Sequence, residues 1–341
     1  EAVGHAVTAA YLWCGAADVY AETGERALLD ALSRLWVDVT ERKMYITGGT
    51  AALHTGEADR RLLRRWPRDS VHEAFGAPYR LPNLTAYNET CANIANAMWN
   101  WRMLVLTGEA KYAEVMERVL YNSMLSGVSI EGRDFFYTNP LRRVKDAPLL
   151  SNDSATRWPD TTPASPVHCF CCPPNIARTL AQLSGWAYGI SDDTVWVHLY
   201  GSSVLDGRLA DGTTMRLAQK TRYPWEGRVT ITVEKSPEIP LALRLRIPGW
   251  ARGATLQVNG EDPRGDIHPL DYVTLERRWS PGDTVVLDLP MDVELVEAHP
   301  LVEETRNHVA VMRGPIVYCL ESPDLPQSVT VDEVRLPRRP S

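Results

Sequence analysis

The sequence predicts a mixed α and β protein built in two parts, a helical domain over residues 1–190 followed by an antiparallel β-sandwich over residues 191–341. Three observations carry this. Apolar residues in the first part recur at helical spacing. After about residue 191 the period falls to two. Gly, Pro and Asn-Gly signals then cut the remainder into short segments of strand length.

Leu28, Leu32, Leu35 and Val39 recur at i, i+4, i+7 and i+11, one apolar stripe of a helix. Ile94, Met98, Trp101 and Val105 repeat the spacing. Thr23-Gly24-Glu25 and Thr107-Gly108-Glu109 each fall between two helical patterns. Glycine closes one helix there, and glutamate suits the first turn of the next. The pairs read as repeated helical hairpins, the unit of toroids and solenoids. A third copy, Thr55-Gly56-Glu57, falls outside any helical pair. The opening residues, EAVGHAVTAAYLWCG, read as the middle of a helix without a signal peptide, which leads us to expect further chain upstream.

Residues 47–88 interrupt the helices with Gly48-Gly49, Pro67, Pro78 and Pro82. The run Arg60, Arg61, Arg64 and Arg65 within them reads as the solvated face of a short inserted helix. A second irregular stretch, residues 138–167, holds Pro140, Pro148, Pro159, Pro163 and Pro166. Long loops in compact domains are often functional.

In the second part Leu241, Leu243, Leu245 and Ile247 alternate with Ala242, Arg244 and Arg246, a half-buried strand. Thr255 to Val258 runs into Asn259-Gly260, a hairpin signal. Ser280-Pro281-Gly282-Asp283 is another turn, leading into a strand from Thr284 to Leu289. Val309 to Val311 and Ile316 to Leu320 add further strands, as expected of a sandwich.

Composition narrows the function. A net charge of −7 disfavours a nucleic-acid partner. No run of ~18 apolar residues suggests a membrane span. Eleven Trp and thirteen Tyr against four Phe favour rings with a polar edge, which suit sugar sites as well as ordinary cores and rims. Six cysteines in 341 residues are too few for a disulfide scaffold and lean toward a cytoplasmic setting.

Three of those six, Cys169, Cys171 and Cys172, crowd just before Pro173-Pro174 and a helical pattern. Metal ligands, a reactive thiol and a buried turn are the alternatives. Zinc takes four ligands, commonly thiolate, imidazole or carboxylate. Glu89 and Cys91 could complete such a set. Residues i and i+2 of a helix face about 160° apart, so the pair would have to sit in an extended or capping segment before a helix at Asn93 to Thr107. Cys14 and Cys319 read as small hydrophobes and Cys169 as a supporting thiol. A second constellation is His72-Glu73-Ala74-Phe75-Gly76, and a third is Phe135-Phe136-Tyr137-Thr138-Asn139-Pro140. His168 beside the thiols would suit a cysteine hydrolase only if folded into contact with one of them.

The string Cys171-Cys172-Pro173-Pro174-Asn175-Ile176-Ala177-Arg178, with Tyr87-Asn88-Glu89-Thr90-Cys91-Ala92, resembles glycoside hydrolase family 127, the β-L-arabinofuranosidases. Gly4-His5-Ala6-Val7, Met44 to Gly49, Glu73 to Gly76, Glu117 to Asn122, Phe135 to Leu141, Arg246 to Trp250 and Arg313-Gly314-Pro315 follow in family order. The resemblance implies an (α/α)6 barrel followed by β-sandwich domains. It implies Zn2+ held by Glu89, Cys91, Cys171 and Cys172, with Cys171 as nucleophile and Glu73 as general acid/base. It implies sugar contacts from His5, Glu117 and Tyr137. The expected activity is zinc-dependent, retaining, exo-acting release of terminal β-L-arabinofuranosyl or related sugars from a small-molecule or oligosaccharide substrate. A carbohydrate-binding or scaffold fragment with purely structural zinc is the alternative, and a homodimer is a further expectation. The family is longer, with its first barrel helices upstream, and residues 51–71 exceed its usual turn.

Overall fold

A computed structural model describes residues 1–57, 70–144, 157–158, 171–263 and 265–337. Helix α1 (Ala6–Thr23) and α2 (Arg26–Arg42) form one hairpin; α3 (Thr90–Thr107) and α4 (Ala110–Arg118) form another. The two turns are built alike. Gly24 and Gly108 both take a left-handed φ of 68°, and their amides close the preceding helices on the Tyr20 and Leu104 carbonyls. The Thr23 and Thr107 hydroxyls accept from the amides of Glu25 and Glu109, at 3.3 and 3.2 Å. Each glutamate is the N-cap rather than a first-turn residue, with its carboxylate making no capping bond. The third Thr-Gly-Glu is part of strand β1 (Leu53–Glu57), paired with β2 (Ser70–Ala74) as an antiparallel hairpin. The arginine run lies outside the described residues.

Two helical expectations need correction. The first residues are not mid-helix: Gly4 has φ 85°, and His5 is the N-cap of α1, its Nδ1 accepting from the Thr8 amide. The stripe on α3 does not describe that helix either. Every residue from Thr90 to Asn100 is buried, because α1, α4 and α5 (Cys172–Trp186) all pack on it, whereas Val105 is exposed. A helix buried all round shows no amphipathic period. On α2 the stripe holds, with Leu32 and Val39 buried and Leu28 and Leu35 half-buried.

Beyond α4 the chain widens into a π-helical turn, Val119–Met124. Gly48 lies against it: a Cβ there would come within 2.8 Å of the Val119 side chain, and φ is 80°. The short pair β3 (Phe135–Phe136) and β4 (Arg157–Trp158) closes this region.

The second part contains two facing sheets. One joins β5 (Tyr188–Ser191), β6 (Thr194–Val197), β10 (Leu241–Ile247) and β12 (Asp271–Arg277), in the order β12-β10-β6-β5. The other joins β7 (Ser203–Arg208), β8 (Thr214–Thr221), β9 (Arg228–Lys235), β11 (Thr255–Val258) and β13 (Thr284–Asp288), in the order β11-β13-β9-β8-β7. Val195, Leu243 and Leu245 of the first sheet share one core with Leu217, Ile231 and Val285 of the second. Asn259 and Gly260 take φ 54° and 81°, as the hairpin signal requires. A separate three-stranded sheet of β14 (Val293–Val296), β15 (Ala310–Arg313) and β16 (Ile316–Tyr318) follows.

The sandwich departs from expectation twice. It is not wholly antiparallel, since β10 pairs with β6 in parallel. The long connection through β7, β8 and β9 supplies the crossover a parallel pair requires. Nor does β10 alternate to its end, for Arg246 is wholly buried. The face that should meet solvent meets the helical domain instead. Arg246 pairs with Glu117 at 2.5 Å and Glu114 at 3.1 Å, and donates to the His198 carbonyl at 2.7 Å.

Candidate active site

Four side chains from two remote segments converge. One ligand atom each from Glu89, Cys91, Cys171 and Cys172 lies within 4.8 Å of all the others. The local fold explains how. Glu89 is the N-cap of α3 in extended conformation, with Cys91 in the first turn. The cap geometry turns the two side chains to one side, and α3 begins three residues earlier than the sequence pattern suggested. Cys171 is the N-cap of α5, with Cys172 opening that helix and Pro173-Pro174 following. Proline suits a first helical turn because its missing N–H would have no partner there. Two helix N-termini, each carrying a partial positive charge, therefore face one cluster of acidic groups.

Within the cluster Cys91 Sγ lies 3.5 Å from Cys172 Sγ, and Cys171 Sγ lies 3.7 Å from Cys172 Sγ and 3.6 Å from Glu89 Oε1. The Asn175 amide donates to Cys91 Sγ at 3.0 Å. Glu89 Oε2 is buried with no donor among the described residues, and the residue is only 1% exposed. An orphaned, buried carboxylate oxygen beside three sulfurs is the donor set of a thiophilic divalent cation such as zinc. The acid–base state agrees. Burial, then the charges of Glu73 and Cys171, push the Glu89 carboxyl well above its ordinary range. The Cys91 and Cys172 thiols are raised too, chiefly by their hydrogen bonds to Cys171. A cation would reverse each of these penalties.

The cluster is not sealed. Glu89, Cys91 and Cys172 are buried, but Cys171 is half-buried. Glu73 stands beside the cluster on β2, with a left-handed φ of 55°, a strained conformation of the kind that gathers at functional sites. Its carboxylate is gripped from three directions. Tyr87 and Tyr137 hydroxyls donate to Oε1 at 2.9 and 3.0 Å, and His5 Nε2 meets Oε2 at 2.9 Å. Burial pushes the carboxyl up, but the bonds from His5, Tyr87 and Tyr137 outweigh it and bring it down to about 2.

Of the residues singled out in the sequence, Glu73, Glu89, Cys91, Cys171, Cys172, His5 and Tyr137 come together. Phe135-Phe136 does form a strand, and the next residue, Tyr137, turns its hydroxyl to Glu73. Glu117 is the exception. Its carboxylate is 1% exposed, bonded to Arg246 and to the Tyr223 hydroxyl at 2.6 Å, at the junction with the sandwich. Both donors fall on Glu117 Oε1, so the residue stands at this junction, apart from the groups that gather around Glu73. Cys169 and His168 lie outside the described residues. Sequence reasoning missed Tyr87 and Asn175 as site residues. Both stood in quoted strings, but their roles depend on which way a loop and a helix face.

Three family models cover the chain: "Beta-L-arabinofuranosidase, GH127 catalytic domain" over residues 1–185, "Beta-L-arabinofuranosidase, GH127 middle domain" over 194–291, and "Glycoside hydrolase family 127 C-terminal domain" over 293–340. A non-reducing end beta-L-arabinofuranosidase of Bifidobacterium longum subsp. longum is 35% identical over 339 residues, covering 95% of this chain and 46% of its own. A solved glycoside hydrolase superimposes with a TM-score of 0.90 at 46% identity, covering 97% of this chain and 54% of that one. A GH127 beta-L-arabinofuranosidase from Geobacillus stearothermophilus T6 gives 0.81 at 40% identity, with 94% and 47% covered. The chain thus spans about half the length of these relatives. Matching models along almost its whole length, it belongs to glycoside hydrolase family 127.

Proposed function

We propose that this chain carries the reacting groups of a retaining exo-glycosidase acting on terminal β-L-arabinofuranosides or closely related sugars, within an (α/α)6-type catalytic domain. The observation that carries the reading is the contrast in exposure within the cluster: three ligand groups are buried, while Cys171 is half-buried and Glu73 stands beside the cluster, close enough to act on Glu89. A purely structural metal site would be closed on all sides. The relatives' printed activities, non-reducing end beta-L-arabinofuranosidase among them, support the same substrate class.

Glu89, Cys91, Cys171 and Cys172 would hold Zn2+, which keeps its sulfur ligands ionised at neutral pH and fixes their direction. Cys171 then attacks the anomeric carbon. The N-terminus of α5 favours its negative charge. With Glu89 ionised as a metal ligand, a second carboxylate charge beside it would be disfavoured, and Glu73, low as its carboxyl lies without the metal, would be the member of the pair that carries the proton. Glu73 delivers that proton to the departing glycosidic oxygen as the C–O bond breaks and the S–C bond forms. It then takes a proton from water, whose oxygen attacks the same carbon, breaks the S–C bond and returns Cys171 as thiolate. Tyr87, Tyr137 and His5 hold the Glu73 carboxyl in place throughout.

Hydrolysis of an aryl β-L-arabinofuranoside with retention at the anomeric carbon tests the reading. Cys171→Ser and Glu73→Gln should each lower kcat at least ~100-fold. Indifference to both would remove the mechanism.

A further inference from the structure

The chain from Glu73 to Glu89 has no helix or strand between Phe75 and Asn88. Such a segment cannot hold its own shape through internal backbone pairing. Yet it must set Tyr87 against Glu73 and deliver Glu89 to the cluster. Its first anchors come from the helical domain: the Tyr79 amide donates to the Arg42 carbonyl at 2.8 Å, and the Tyr45 hydroxyl to the Pro82 carbonyl at 2.8 Å. The apex is held from a distant part of the chain. Glu304 accepts the amides of both Asn83 and Leu84, one on each carboxylate oxygen, at 2.9 Å each. Tyr79 stacks on His299, with centroids 4.2 Å apart and planes 18° from parallel. The Asn83 carbonyl accepts from the amides of Leu141 and Arg142, and the Arg142 guanidinium pairs with Asp332 at 2.7 Å. His299, Glu304 and Asp332 all belong to the segment matched by the C-terminal domain model.

We propose that Glu304 is a positioning residue for the reaction, reaching across from the C-terminal domain to fix the loop that aims Tyr87 at Glu73. The assignment rests on the glycosidase reading above. A charged carboxylate on two successive amides is a strong and directional clamp. Tyr87 follows Leu84 by three residues; its amide donates to the Ala52 carbonyl and its carbonyl accepts from the Asn139 amide, each at 3.2 Å. The clamp sets the approach of the chain to these bonds and, with them, the phenol that holds the acid/base. The C-terminal domain thereby contributes to turnover without touching substrate.

The test is a double-mutant cycle in the zinc-loaded enzyme. Glu304→Ala should lower kcat about 10-fold, the scale of a supporting contact, with KM nearly unchanged and zinc content retained. Tyr87→Phe, which removes the O–H but keeps the ring, should cost a similar factor. If Glu304 acts through Tyr87, the double variant is little slower than Tyr87→Phe alone. Fully multiplicative effects, or wild-type kcat in Glu304→Ala, would overturn the role. Should Glu304→Ala fail to fold, Glu304→Gln, which keeps one acceptor oxygen, decides the question in the same cycle. An enzyme that cleaves no glycoside removes both the glycosidase reading and this role, whereas an active wild type indifferent to Glu304 removes this role alone.

Discussion

Glu89 and Cys171 stand in equivalent places: each is the N-cap of a helix, and their side chains meet at 3.6 Å although 82 residues separate them. The two helices α3 and α5 thus aim their N-termini at one point. That point gathers four groups that would repel one another when ionised, and a cation between them would make the arrangement favourable.

Chelation should therefore remove activity and lower the melting temperature, with both restored by Zn2+. Because Cys91 and Cys172 are held protonated well above the ordinary thiol range, metal binding must displace protons. Zinc affinity is expected to rise with pH across the neutral range and fall on acidification. Titration with a competing chelator at several pH values measures this, and a pH-independent affinity would contradict the thiolate ligand set.

Glu73→Gln should be sensitive to the leaving group. An acid is needed most when the departing alcohol is a poor one. We expect a loss of roughly 100-fold or more on alkyl arabinofuranosides but a far smaller loss of the first step on activated aryl ones. Pre-steady-state release of the aryl alcohol reads that first step directly. Equal losses for both substrates would argue against an acid role.

Arg246→Met should destabilise the protein by about 3–5 kcal/mol, because it strands the buried Glu117 carboxylate without its counter-charge. Replacing Glu117 by Gln in the same variant should recover part of that loss. Chemical denaturation of the single and double variants measures both, and a neutral single substitution would show that the ion pair is dispensable.

His198 should shape the acid limb of stability. Its ring is buried against Arg246 and hydrogen-bonded to the Tyr272 hydroxyl at 2.6 Å. Burial first, then the Arg246 charge, brings its pKa down from 6.5 to about 3. The unfolded chain takes up a proton in that interval and the folded chain does not. Stability therefore falls as pH drops from about 6.5 toward about 3. His198→Gln should flatten this part of the curve in thermal melts recorded against pH. An unchanged slope would place the acid sensitivity elsewhere.

The order of helices before strands, the two Thr-Gly-Glu turns and the Asn259-Gly260 hairpin were legible in the sequence. Each depends on local chemistry: a left-handed glycine, a period of two, a turn that only certain residues adopt. The four cluster residues were named from the sequence through the resemblance of their two strings to family 127, whereas the crowding of the thiols by itself left a metal site, a reactive thiol and a buried turn open. Tertiary structure alone decided that Glu89 and Cys171 cap helices pointing at one another, and that Cys171 rather than its neighbours reaches solvent. It alone turned Arg246 inward and set Glu117 against it at the junction with the sandwich, since burial depends on what the next domain covers. Local pattern sets the conformation of a segment; which charges must share a dry interior is settled only when distant segments pack.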